Sequence, residues 1–230
     1  CLFGHGTSIP FSAKATKDKK ISKHTAKHPQ KYALISVFDK TGITGFAKTI
    51  SALGFKIIST GGTAKVLIDS GLPVIPIQEI TGNPESFDGR MKTISFQIES
   101  GILFDRKNPK HIKEAKKLKI KSIEIIVCNL YPFEQTITDL KVRLSEAIEN
   151  IDVGGPTMIR AAAKNNKDVL VITDPMDYRN IASLLLKKKI DEKLRLELGA
   201  KAFRHLSFYD SQIASYLGKS EDKFPEEFAI

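Results

Sequence analysis

The sequence predicts an α/β fold: a mostly parallel sheet covered by helices on both faces, with further helices at the C-terminal end. Three observations carry that reading. Short apolar runs recur at YALISVF (32–38), FKIIS (55–59), VIPI (74–77), IEIIVCN (123–129) and VLVIT (169–173), each of strand length and rich in β-branched residues. Segments of helical period lie between them. The turns that join them are short, and parallel neighbours joined through helices make right-handed crossovers.

In chain order, YALISVF is followed by DKTG and then by the amphipathic ITGFAKTISALG, which ends at Gly54. FKIIS leads through the turn TGGT (60–63) into AKVLIDSG, a helix closed by Gly71, because glycine accepts the left-handed conformation past a helix end. After VIPI, the stretch 79–101 has turn residues and patchy periodicity, the mark of a functional loop. In IEIIVCN-LYPF, Pro132 stops the strand and holds Tyr131 extended at its C-terminal end. LSEAIEN reads as a short helix, and IDVGGPTMIRAAAKNN (151–166) as a turn and helix with Pro156 in its first turn. After VLVIT, helices are predicted over roughly 176–188 and 191–217, and no repeat is visible.

Composition excludes several classes. The 230 residues are 41% hydrophobic and 27% charged, values of an ordinary globule with one sizeable core. No apolar run is long enough to span a bilayer. Two cysteines, Cys1 and Cys128, form neither a disulfide framework nor a four-cysteine zinc site, and they fit a reducing, cytoplasmic compartment. Residues 1–30 carry six Lys and one Asp, half of the formal net charge of +10. That segment reads as a flexible basic leader without the pattern of a secretory signal or presequence. With nothing aromatic interleaved for stacking, it reads as a solvated tail in preference to a nucleic-acid tether. The chain begins with Cys and not Met, which suggests a processed or truncated start. The expected domain spans 31–218, with 219–230 a tail or linker.

Both early loops leave the C-terminal end of a strand and open a helix, so their backbone N–H groups and helix dipoles point to one rim of the sheet, where open α/β sheets bind ligands. DKTG brings an ammonium and a hydroxyl there; STGGT brings two glycines that let backbone approach an anion. A phosphate cradle is the inference, although a single glycine pair between strand and helix serves steric needs as often as a ligand. Arg90 and Lys92, two residues apart, leave one face of an extended segment and could grip one anion; the bland alternative is a solvated pair.

SVFDKTG, STGGTAK, DGRMKT, NLYPF and IDVGGPTMIRAAAKN, in this order, closely resemble the inosine monophosphate cyclohydrolase domain of the bifunctional purine-biosynthesis family. The second domain of that family is the aminoimidazole carboxamide ribonucleotide (AICAR) transformylase. The resemblance runs from about 32 to about 217. It implies a methylglyoxal-synthase-like fold and the dehydrating closure of formyl-AICAR to inosine monophosphate, with no metal or organic cofactor. It also implies a phosphate site at Lys40, Thr41, Thr60, Gly61, Gly62 and Thr63, with Ser36 nearby. Catalytic positions fall on Lys92, Tyr131, Asp152 and Lys164, and substrate contacts on Arg90, Thr93, Asn129 and Gly154.

Two departures stand against the family pattern. Phe38 replaces a serine in SVSDKTG, which puts a bulky ring where a phosphate contact is expected. Ser95, Phe96 and Glu99 replace His, Pro and His in TLHPKIHGGIL. A transformylase domain is absent from these 230 residues, so the resemblance implies functional coupling to such a domain or protein, and apolar surface without it suggests a homodimer. The competing reading is a non-catalytic or decayed nucleotide-binding regulatory domain of the same fold.

Overall fold

The computed structural model describes residues 30–137 and 142–218; the expected leader, apart from Gln30, and the expected tail from 219 onward lie outside them. The described elements run β1 (Tyr32–Val37), α1 (Ile43–Ala52), β2 (Lys56–Ser59), α2 (Gly61–Asp69), β3 (Val74–Pro76), α3 (Gln78–Thr81), α4 (Phe96–Leu103), α5 (Pro109–Lys117) and β4 (Ile123–Asn129). There follow α6 (Phe133–Ile137), α7 (Leu144–Glu149), α8 (Gly154–Lys164), β5 (Leu170–Ile172), a 3-10 turn (Pro175–Asp177), α9 (Tyr178–Leu186) and α10 (Glu192–Leu217).

All strand pairs of the sheet are parallel, in the order β3-β2-β1-β4-β5. The order runs outward from β1 in one direction through β2 and β3, and in the other through β4 and β5. Right-handed crossovers that run in opposite directions lie on opposite faces. Hence α1 and α2 cover one face, and α4 and α8 the other. In agreement, α9 packs on α1, while α8 packs on α4, α10, β4 and β5. With both faces covered, β1, β4 and β5 are buried almost along their whole length, which is why their sequences read as continuous apolar runs. Leu34, Ile35, Ile126, Val127 and Ile172 form the centre of the core.

The reversal at β1 opens a crevice at the C-terminal ends of β1 and β4, where register pairs Ser36 with Cys128 and Val37 with Asn129. Three local expectations are revised. TGGT is no free turn: Thr60 is the N-cap and both glycines already belong to α2. The expected loop 79–101 begins and ends in helix, leaving irregular chain only from Gly82 to Ser95. The helix α5 has no sequence signal of a buried face because it buries no residue; Asn108, whose side chain accepts from the Lys110 N–H at 2.9 Å, and Pro109 at its start define it instead.

Candidate active site

The crevice is a cavity of about 820 Å³, large enough for a nucleotide-sized ligand. It takes residues from the ends of β1, β2 and β4, from the 82–95 loop, and from the start of α8.

The floor is helix start. The first N–H groups of α2 have no partner within the helix, and Thr60 offers no side-chain cap. Gly61 has φ +54°, the left-handed region, and a Cβ there would lie 3.1 Å from the Lys92 Nζ. One at Gly62 would lie 3.7 Å from the Lys40 Cε. Two ammonium-bearing side chains thus converge on the glycine pair. The Thr60 hydroxyl is buried and has no hydrogen-bond partner, the condition of a group awaiting a ligand. Thr63 is different: its hydroxyl donates to the Val37 carbonyl at 2.9 Å and accepts from the Val37 N–H at 3.1 Å, so it ties α2 to β1.

Asn129, at the end of β4, holds the first loop. Its Oδ1 accepts from the Phe38 and Asp39 N–H groups at 2.7 and 2.9 Å, and its Nδ2 donates to the Asp39 carbonyl at 3.0 Å. The Thr41 N–H donates to the Asp39 carboxylate at 2.8 Å, and the Thr41 side chain first, with this backbone bond beside it, holds the Asp39 carboxyl below its usual range. The Lys40 Nζ donates to the Phe38 carbonyl at 3.0 Å. The Phe38 ring turns toward Tyr131, edge to face at 4.5 Å between centroids. It is a wall between this cavity and a second one of about 810 Å³.

The opposite wall is the start of α8. The Asp152 Oδ1 accepts from the Gly155 N–H at 2.9 Å, and the Asp152 N–H donates to the Tyr209 hydroxyl at 2.8 Å. Burial pushes the Asp152 carboxyl up, against the lowering effect of the Gly155 and Gly154 N–H groups. The glycines are required: a Cβ at Gly154 would run into the Thr93 hydroxyl, and one at Gly155 would lie 2.5 Å from Asp152 Oδ2. Beneath them the Cys128 thiol is pushed up by burial and by Asp152, so it stays an unreactive core group.

The loop between α3 and α4 brings two cations, each with its own carboxylate. The Lys92 Nζ lies 3.1 Å from Glu85, and Arg90 donates through Nε and Nη2 to the two oxygens of Glu149. Arg90 and Lys92 thus each meet a separate carboxylate while both line the same cavity. Glu149 is held below the usual carboxylate range by its bonds from Arg90.

Of the predicted residues, Ser36, Lys40, Thr60, Gly61, Gly62, Thr63, Arg90, Lys92, Thr93, Asn129, Tyr131, Asp152 and Gly154 line this cavity. Thr41 and Lys164 do not. Thr41 is exposed in the loop before α1, and Lys164 is exposed at the far end of α8, about 15 Å along the helix from its start. Ser95, Phe96 and Glu99 also lie outside the lining. The Ser95 hydroxyl caps α4 by accepting from the Ile98 N–H at 3.1 Å, and Phe96 is exposed. Asp88, which the sequence places in the candidate functional loop with Arg90 and Lys92, lines the cavity too, and Glu85, Glu149, Val153 and Met158 line it without having been assigned a role. Asp88-Gly89 is a hairpin-turn dipeptide, and pairing around it predicts Glu85 opposite Lys92; no local signal announces Glu149.

Residues 42–157, half of the chain, match the family model of the MGS-like domain. The chain belongs to the MGS-like domain family. Residues 162–230 match the model of the AICARFT/IMPCHase bienzyme. The bifunctional purine biosynthesis protein PurH of Acetivibrio thermocellus is 51% identical over 203 residues, covering 87% of this chain and 40% of the relative. PurH of Bacillus mycoides is 49% identical over 203 residues, with the same shares. The chain thus spans about 40% of the length of these curated relatives. In the crystal structure of ForH, 31% identical, the match covers 85% of this chain and all of that one, with a TM-score of 0.75. As an MGS-like domain, the chain places its cavity at the strand-order reversal, where such sheets take ligands. Among the described residues no helix is long and apolar enough to cross a membrane.

Proposed function

We propose that this chain is an inosine monophosphate cyclohydrolase that closes formyl-AICAR to inosine monophosphate with loss of water. The observation that carries the reading is the convergence of Lys40 and Lys92 on the Gly61-Gly62 helix start, across one cavity from Tyr131 and Asp152. The sequence motifs and the purine-biosynthesis relatives support the same substrate.

The substrate phosphate sits on the N–H groups of Gly61, Gly62 and Thr63, with the Thr60 hydroxyl and the Lys40 ammonium completing the cradle. Thr63 contributes backbone, since its hydroxyl is committed to Val37. Asn129 acts by shaping the loop that carries Lys40. Phosphate binding then fixes the carboxamide and formamido arms beside each other, a large part of an intramolecular closure.

In the closure the carboxamide nitrogen attacks the formyl carbon, and a nitrogen–carbon bond forms. Charge develops on the formyl oxygen, where Lys92 stabilises it. That oxygen leaves as water with one proton from the carboxamide nitrogen and one from the formamido nitrogen. Asp152, whose burial makes it a stronger base than an exposed aspartate, takes the amide proton, and Tyr131 relays protons toward the departing oxygen. No step runs through Lys164.

The reading also includes a cytoplasmic homodimer, coupled in function to an AICAR transformylase that supplies its substrate. Its test is turnover of synthetic formyl-AICAR followed by ultraviolet absorbance. Closure above a protein-free blank supports it; inosine monophosphate binding without closure favours the nucleotide-binding regulatory role.

A further inference from the structure

The loop between α3 and α4 is a small hairpin. Ser86 and Met91 exchange backbone hydrogen bonds, 3.0 Å from the Ser86 N–H and 3.2 Å from the Met91 N–H. Three consecutive residues at its tip, Phe87, Asp88 and Gly89, have φ of 56°, 53° and 94°. Two of these are not glycine, so the tip holds an uncommon conformation that an ordinary loop leaves. The residues flanking the bridged pair are Glu85 and Lys92, which the hairpin sets against each other.

Both Glu85 carboxylate oxygens lie 3.1 Å from the Lys92 Nζ. A Cβ at Gly89 would lie 3.1 Å from Glu85 Oε1, and one at Gly61 3.1 Å from Lys92 Nζ. The ammonium is therefore held between a carboxylate, itself backed by the hairpin tip, and the glycine floor of the phosphate cradle. Glu85 lies seven residues from Lys92 and lines the same cavity. The geometry points to Glu85 as a positioning residue that holds the Lys92 ammonium over the Gly61-Gly62 helix start by a two-oxygen ion pair.

This inference rests on the cyclohydrolase reading for its catalytic consequence. A long, flexible lysine side chain loses rotamer freedom when it is fixed in one place, and the Glu85 pair supplies that order at the cavity floor, from which the ammonium serves the substrate, before substrate arrives. A neutral side chain of the same shape keeps the packing and removes the charge that aims Lys92.

The test compares the full chain with its Glu85→Gln and Glu85→Asp variants, each checked for an unchanged thermal midpoint. Glu85→Gln lowers kcat by about tenfold to a hundredfold, while the affinity for inosine monophosphate stays within about threefold. Glu85→Asp regains part of the rate. An unchanged kcat for Glu85→Gln overturns the inference, as does a fall in inosine monophosphate affinity equal to the fall in kcat. Acetylation of the Lys92 amine by acetic anhydride, read by peptide mass spectrometry, separates this inference from the functional reading. If the unsubstituted chain gives no closure above the blank, the cyclohydrolase reading falls, and the labelling decides the Glu85 claim alone. Faster labelling of Lys92 by several-fold in Glu85→Gln supports the ion pair as its anchor, and an unchanged rate overturns it.

Discussion

Replacing Glu99 by glutamine changes stability in a way that depends on pH. Glu99 lies in the first turn of α4, its Oε1 is buried without a hydrogen-bond partner, and burial pushes its carboxyl up from the ordinary 4.5 to about 7. The folded protein therefore holds that proton more tightly than the unfolded chain does. The stability this contributes is fully present below pH 4.5 and is lost as the pH rises through about 7. Fully realised, a displacement of that size corresponds to about 3 kcal/mol. Glu99 is partly open to solvent, and screening reduces the figure to about 1–2 kcal/mol. Glu99→Gln keeps the shape and never ionises, so at pH 8 it is the more stable protein, with a midpoint higher by about 3–6 °C for a domain of this size. Near pH 4 the two proteins coincide. Thermal unfolding of both at a series of pH values checks this. A stability difference that does not change with pH, or a less stable variant at pH 8, refutes the reasoning.

The remaining expectations concern the cavity. Lys92→Ala lowers turnover far more than affinity for inosine monophosphate, and Lys40→Ala mainly weakens binding; steady-state kinetics beside calorimetric titration separates the two, and the reverse pattern contradicts the assigned roles. Gly155→Ala pushes a methyl group against Asp152 Oδ2 and Leu130, at 2.5 and 2.6 Å, and costs about 1–3 kcal/mol in urea unfolding. Asn129→Ala leaves the Asp39 N–H without its acceptor and the Phe38 N–H with only the backbone carbonyl of residue 129 at 3.4 Å, so it costs about 1–3 kcal/mol and weakens inosine monophosphate binding through the displaced Lys40 loop. Because burial raises Asp152, the acid limb of kcat/KM lies above the ordinary aspartate range, and Asp152→Asn abolishes that limb together with most of the turnover.

The strands and the glycine loops were legible because parallel β-strands buried on both faces must be apolar throughout, and because a strand-to-helix turn that receives an anion needs small residues. IEIIVCN matches β4 residue for residue. The helix α5 was missed for the converse reason: its PKHIKEAKK buries nothing, so no apolar stripe marks it. The commitment of the Thr63 hydroxyl to Val37 and the grip of Asn129 on the Phe38-Asp39 backbone depend on contacts 26 and about 90 residues apart, which no local pattern encodes. Phe38 shows the same limit. Its position in the motif suggests a ring at the phosphate cradle, and Phe38 does line that cavity, but no local pattern shows that the ring packs edge to face with Tyr131 or that the Lys40 ammonium both donates to its carbonyl and lies 5.9 Å from its ring centroid. Lys164 matches a family motif at one end of a helix whose other end meets the cavity, and the rise of α8 separates the two.

The measurement that tests the account most directly is closure of synthetic formyl-AICAR by the full chain, followed by its ultraviolet absorbance, with Lys92→Ala and a protein-free blank alongside. The account predicts turnover well above the blank in the unsubstituted chain and its loss in Lys92→Ala, with inosine monophosphate still bound by both. Absence of closure above the blank in a folded chain that binds inosine monophosphate contradicts it.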